Sequence, residues 1–185
     1  MNISIAVTIP EEVKRKLAAA IEQLEPVAAE TLWEERDQLQ LPIAAVGELA
    51  PAFVPHITAA LEKICARTAP FQIHVSGFGF HGTKRFPHNV WAAVDPVQAL
   101  NQMHEEIWEA LKKFGFDKPD EELIPHIVLG ICKVGIRNRE LVEAIDVDPN
   151  YEFGCWDVRK ITLYDCRTSR RGKVHRKVNQ IPLTG

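Results

Sequence analysis

The chain is predicted to be an α+β protein of two related lobes, and two observations predict it. Strand-like segments outnumber helix-like ones and the helices follow strands. One local plan also occurs twice: a strand, a proline-opened amphipathic helix, a loop, and the tripeptide Pro-His-Ile at the head of an apolar run. The two copies are Pro55-His56-Ile57 and Pro125-His126-Ile127, and a lysine follows each at the same distance, Lys63 and Lys133. Such a duplication suggests one site made by two halves.

Taken in order, residues 3–9 read as a strand, and Pro10-Glu11-Glu12 opens a helix with Val13, Leu17, Ile21 and Leu24 on one face. Thr8 with Glu11 has the form of a capping box. The stretch 26–51 carries Trp33 and the apolar run Leu39 to Val46, which fits an extra strand or a packed loop. Strands are then expected at 55–61 and 71–78. The second unit has a strand at 90–94, then Asp95-Pro96 as helix cap and first helical residue, with Val97, Leu100, Met103, Ile107, Leu111 and Phe114 facing inward before Gly115. A strand from Pro125, a helix near Asn138 to Ile145 and a C-terminal hairpin over 158–183 complete a single domain, 1–185, with pseudo-repeats around 3–78 and 90–164.

Composition narrows the functional classes. An apolar share of 46% with 25% charged residues, and 12 prolines and 10 glycines that do not cluster, describe a compact chain able to build a core. The opening residues lack the form of a signal peptide and no run approaches a membrane span, so a cytoplasmic protein without membrane contact is expected. The four cysteines show no metal-ligand or redox spacing and read as reduced thiols. A formal charge of -3 argues against a duplex DNA surface. Basic residues gather only locally, at Lys84-Arg85 and in the group Arg167, Arg170, Arg171, Lys173, Arg176 and Lys177.

Strand alternation would put His56, Thr58 and Ala60 on one face, and His126, Val128 and Gly130 on the corresponding face of the second copy. The opposite faces are apolar. Two imidazoles facing one cleft suit acid-base chemistry near neutral pH, since one can accept a proton while the other donates one. Cleavage of a phosphodiester needs that pair, and a hydroxyl such as that of Thr58 can hold a phosphate oxygen. His74, His81 and His88 recur every seven residues, which matches no compact ligand pattern, so no metal is expected. The loop 79–88 offers Lys84 and Arg85 to phosphate and Phe80 or Phe86 to a stacked base, or else is an exposed hairpin with solvated charges.

On these residues the chain resembles the two-histidine (2H) phosphoesterase superfamily, whose signature is a pair of His-x-Thr/Ser-x motifs, and in particular its RNA 2',3'-cyclic phosphodiesterase branch, often called 2'-5' RNA ligase. The opening Ile-Ala-Val-Thr-Ile-Pro-Glu-Glu, the Phe78-Gly79-Phe80 turn, the Val90-Trp91 strand and the ending Ile181-Pro182-Leu183 add to the likeness. The resemblance implies antiparallel-rich sheets around a central cleft, no metal or other cofactor, and RNA ends or cyclic nucleotides as substrate. It implies His56 and His126 as the acid-base pair, in an order left open, and Thr58 on the phosphate. Val128 stands where the family has Thr or Ser, which removes a hydroxyl and raises an alternative, a module that binds RNA ends or nucleotides without turnover. Arg167 is a further substrate-binding candidate at the cleft mouth, and a monomer is expected.

Overall fold

The computed structural model describes residues 1–120, 122–169 and 172–185. Its elements, in chain order, are β1 (Asn2–Val7), α1 (Glu11–Leu24), β2 (Thr31–Trp33), β3 (Leu41–Glu48), α2 (Val54–Cys65), β4 (Phe71–Gly82) and β5 (Pro87–Asp95). They continue with α3 (Gln98–Lys112), β6 (His126–Cys132), α4 (Arg139–Asp146), β7 (Glu152–Val158), β8 (Lys160–Ser169) and β9 (Gly172–Pro182). The strands form two antiparallel sheets, β3-β1-β8-β9 and β2-β6-β5-β4-β7. The α+β architecture expected from the sequence is therefore the one observed.

The apolar spacing explains the helices. Val13, Leu17, Ile21 and Leu24 of α1 are buried, as are Leu100, Met103, Ile107 and Leu111 of α3. Two details of the helix starts differ from expectation. Helix α3 begins at Gln98 with Val97 as its cap, and α1 is capped by Pro10 without a side-chain hydrogen bond. Thr8 does not close a capping box; its hydroxyl lies 2.9 Å from the Thr162 hydroxyl and 3.2 Å from that of Tyr164. The stretch 26–51 resolves into strands, with Trp33 on β2 and the apolar run on β3.

The largest departure concerns the first Pro-His-Ile copy, which opens the helix α2 and not a strand. The buried residues there are Ile57, Leu61, Ile64 and Cys65, a spacing of three and four, and Ala59, Ala60, Leu61, Glu62 and Lys63 are favourable helix residues. Pro55 sits in the first turn, where its missing N–H costs nothing. The second copy has Leu129, Gly130, Ile131 and Cys132 where the first has Ala59, Ala60, Leu61 and Glu62, and it forms β6.

The helices exchange sheets. Helix α1 follows β1 in one sheet but packs on β7 and β6 of the other, while α3 follows β5 and packs on β3; α2 lies on β9 and α3, and α4 on β4. Each sheet is thus covered on one face by helices and tied to the other sheet through the connections that carry them. The opposite faces meet along β3 and β6 and leave a cleft. Asn138 anchors the approach to β2: fully buried, it accepts from Ala29 N and donates to Ala29 O and the Thr31 hydroxyl, each polar group satisfied.

Packing of β2 on β6 yields a test. A Cβ on Gly130 would come within 2.6 Å of Trp33 Cε3 and 2.9 Å of Thr31 Cγ2, so Gly130→Ala should displace β2 at a cost of about 1–3 kcal/mol. The urea midpoint should fall accordingly; an unchanged midpoint would show that β2 yields freely.

Candidate functional site

The two sheets are related strand by strand, β3-β1-β8 to β6-β5-β4, and this relation locates the half-sites. In β3 the register against β1 breaks between Ile5 and Ala6, where the partners step from Ala44 to Pro42. In β6 the register against β5 breaks between Val90 and Trp91, where the partners step from Gly130 to Val128. Superposing these bulges matches Leu41, Pro42, Ile43 and Ala44 to Ile127, Val128, Leu129 and Gly130, and both runs show the same order of buried, half-buried, buried, buried. One residue earlier, His126 therefore corresponds to Gln40. The structural counterpart of the His126 strand is β3, whose run Gln40-Leu41-Pro42-Ile43 has neither histidine nor hydroxyl.

His56 is on α2, exposed, with ring contacts to Phe53 and Phe114 at 6.4 and 6.2 Å. It lies beyond the far end of β3, whose residues advance about 3.3 Å each, roughly 25 Å of strand from Gln40. Thr58 is on the same helix. Neither lines the cavity of His126, so the structure does not bring together the two histidines the tripeptide had paired.

His126 stands on the cleft face of β6. Its Nδ1 donates to the Ile124 carbonyl at 2.5 Å, which fixes the tautomer and leaves Nε2 as the lone-pair nitrogen. Burial holds its imidazole below the ordinary value, the Ile124 carbonyl opposes this, and the neighbouring His81 adds to the lowering. The ring is thus neutral at neutral pH, with a lone pair on Nε2. Trp91 and His81 flank it, with ring centroids at 5.2 and 5.3 Å. Gly79 is bare because the Trp91 ring crosses it: a Cβ there would fall 2.2 Å from Trp91 Cη2. His81 Nδ1 is 2.9 Å from Asn89 Oδ1.

A cavity of about 430 Å³ opens beside His126, between Pro42 to Ala45 of β3, His104 and Trp108 of α3, and residues 119 and 122–124. Two ring nitrogens of its lining, His104 Nε2 and Trp108 Nε1, are buried without a partner among the described residues. A second cavity, of about 130 Å³, joins the half-sites directly, lined by Gln40 and Pro42 on one wall, Val128 on the other, and His175 from β9. On the same sheet face as Gln40, the hydroxyls of Thr8, Thr162 and Tyr164 form a connected group.

The remaining candidates lie elsewhere. Phe80 pairs with buried Val90, on the helix side of β4, and packs against the core. Lys84 and Arg85, at the β4–β5 turn, line a separate cavity of about 600 Å³ with Arg137 and Arg139; Lys84 pairs with Asp146 at 3.4 Å. Arg167 donates to fully buried Asp165 at 2.8 Å, on the face of β8 opposite Tyr164. Arg170 and Arg171 lie outside the described residues. His74 pairs with Glu152 at 2.6 Å, apart from His81, and His88 is exposed. The sequence did not single out Gln40 or His175, which line the cavity beside Val128. One signal pointed to Gln40: it is as far from the helix-opening Pro10 as His126 is from Pro96.

Known proteins share this fold and sequence. The sequence model of the 2'-5' RNA ligase superfamily matches residues 39–170. An RNA 2',3'-cyclic phosphodiesterase of Thermotoga maritima is 29% identical over 153 residues, 80% of each chain, and one of Archaeoglobus fulgidus is 23% identical over 95% of this chain and 97% of that one. Among solved structures, TT0787 of Thermus thermophilus superposes with a TM-score of 0.83 at 22% identity, covering 100% of this chain and 99% of that one. E. coli LigT complexed with 3'-AMP gives 0.79 at 19% identity, covering 100% and 98%.

The environment of His126 is open to direct measurement. Its imidazole should titrate below the ordinary value of about 6.5, and His81→Ala should move it upward by removing a like charge. Histidine NMR checks both; a His126 titration at or above the ordinary value would contradict the buried, neutral assignment.

Proposed function

We propose, for a chain that belongs to the 2'-5' RNA ligase superfamily, that the cleft between β3 and β6 binds phosphate-bearing RNA ends or nucleotides and opens 2',3'-cyclic phosphates to 2'-phosphomonoesters. The observation that carries this reading is His126, tethered at Nδ1, held neutral by burial, its ring lining a cavity walled on the other side by Pro42 to Ala45 of β3. The names of the relatives, RNA 2',3'-cyclic phosphodiesterases, and the complex of E. coli LigT with 3'-AMP support the same chemistry.

In this reading, water attacks phosphorus and gives its proton to His126 Nε2 while the bond from phosphorus to the ribose 3'-oxygen breaks. Trp91, beside His126, bounds the nucleoside. His56 and Thr58 take no part, because α2 carries them away from the cleft.

A second reading has a specific observation behind it. Gln40, Pro42 and Val128 replace the histidine and both hydroxyls of a symmetric site, so a cleft that binds such ends without turning them over also fits. Turnover separates the two. A 2',3'-cyclic nucleotide should be hydrolysed by the pure protein in EDTA, with His126→Ala reducing kcat by about 100-fold or more and His56→Ala leaving it unchanged. Binding of the same nucleotide with no product would favour the second reading, and neither binding nor product would sink both.

Val128→Thr restores one hydroxyl on the cleft face of β6. A hydrogen bond to a charged group contributes about 1.5–3 kcal/mol, so turnover should rise by about 10- to 150-fold if that hydroxyl reaches the phosphate in the transition state. Steady-state kinetics of this variant reads the gain directly, and no gain would show that Val128 lies off the phosphate.

A further inference from the structure

The wall opposite His126 lacks the matching histidine, yet another imidazole stands there. We propose that His175, from the C-terminal strand β9, is the proton donor of this cleft, in place of the imidazole that Gln40 does not supply; the assignment rests on the cyclic phosphodiesterase reading above.

Three observations carry it. The first is position. His175 pairs with Cys166, which shares the cleft face of β8 with Tyr164, and its ring lies 6.3 Å from the Tyr164 ring. It lines the small cavity between the half-sites together with Gln40, Pro42 and Val128, and Glu34 lines the same cavity. The second is orientation. Its Nδ1 is 2.9 Å from the Gln38 carbonyl, and its backbone N–H donates to Gln38 Oε1 at 2.6 Å. Nδ1–H therefore donates to a backbone carbonyl two residues before the half-site residue Gln40, as His126 Nδ1–H donates to the carbonyl two residues before itself. Both rings are anchored through Nδ1 and present Nε2.

The third observation is the state of Gln40. Its Nε2 lies 3.4 Å from His175 Nε2, while its Oε1 is buried with no partner among the described residues. The two ends of a side-chain amide are interchangeable by a half turn. With the NH2 toward the ring, Gln40 suits neutral His175; turned over, Oε1 accepts from Nε2–H of the doubly protonated ring. Gln40 can thus accompany His175 through both protonation states of an acid catalyst. Two other histidines line the cavity of His126: His81, which stands on the same wall, and His104, which is buried on α3. In-line displacement needs base and acid on opposite sides of phosphorus, and His126 on β6 and His175 on β9 come from different sheets.

The step balances without a co-reactant. Water loses a proton to His126 Nε2 and bonds to phosphorus, the phosphorus to 3'-oxygen bond breaks, and the 3'-oxygen takes the proton of His175 Nε2. Exchange with solvent then restores both rings.

Steady-state kinetics on a 2',3'-cyclic mononucleotide tests the assignment with wild type, His175→Ala and His175→Gln. Gln keeps a polar group in reach of the Gln38 carbonyl, so at least one variant should remain folded, as thermal unfolding will show. The expected result is a fall in kcat of about 100-fold or more with KM within about threefold. A folded variant that retains kcat, or one changed only in KM, overturns the assignment while leaving the cyclic phosphodiesterase reading intact. A wild type that binds the nucleotide but yields no product overturns the reading itself, and this assignment with it.

Discussion

Two strands, β3 and β6, must each bury one face under helices while offering the other to a shared cleft, and the molecule is organised around that requirement. Side chains alternate with a period of two, so a slip of one residue would turn Leu41 and Ile43, or Ile127 and Leu129, out of the core. The bulge at the same step in both strands sets the phase. It is this phase that brings Gln40 and Pro42 to the cavity they share with Val128. The exchange of helices between sheets then fixes how far apart the two walls stand, because α1 and α3 each begin on one sheet and pack on the other.

Within that frame the two half-sites have diverged in chemistry while keeping their backbone. His126 retains a ring anchored at Nδ1 and held neutral by burial. Gln40 offers an amide instead, and the hydroxyls near it come from neighbouring strands, Thr8, Thr162 and Tyr164, not from its own. A long β8–β9 hairpin brings His175 to the same wall.

The fold was legible to a large degree, and the failures have physical causes. Helix faces in α1 and α3 were read correctly because a spacing of three and four in apolar residues is a strong local signal. The same rule, applied to 54–65, would have shown a helix through Ile57, Leu61 and Ile64; the matching tripeptide outweighed it. Half of the candidate site, His126 and Val128, was readable from alternation in β6. His56 and Thr58 were placed with them by sequence likeness alone, and the helix carries them away. Lys84, Arg85 and Phe80 read as a substrate-binding loop or else an exposed hairpin; they belong to the β4–β5 hairpin, with Phe80 on the core, and which side of it meets the cleft depends on pairing with β5.

By itself, the sequence determined the class of fold, the family, the helix faces and the strand that carries His126 and Val128, because each follows from local periodicity and from residues close together in the chain. Which segment completes the cleft was a tertiary decision. Gln40 and Pro42 share a cavity with Val128 once β3 is paired with β1, and His175 reaches Gln40 once β9 is paired with β8. Register is a property of pairs of strands, fixed by hydrogen bonds between residues far apart in sequence. No pattern within either strand alone contains it.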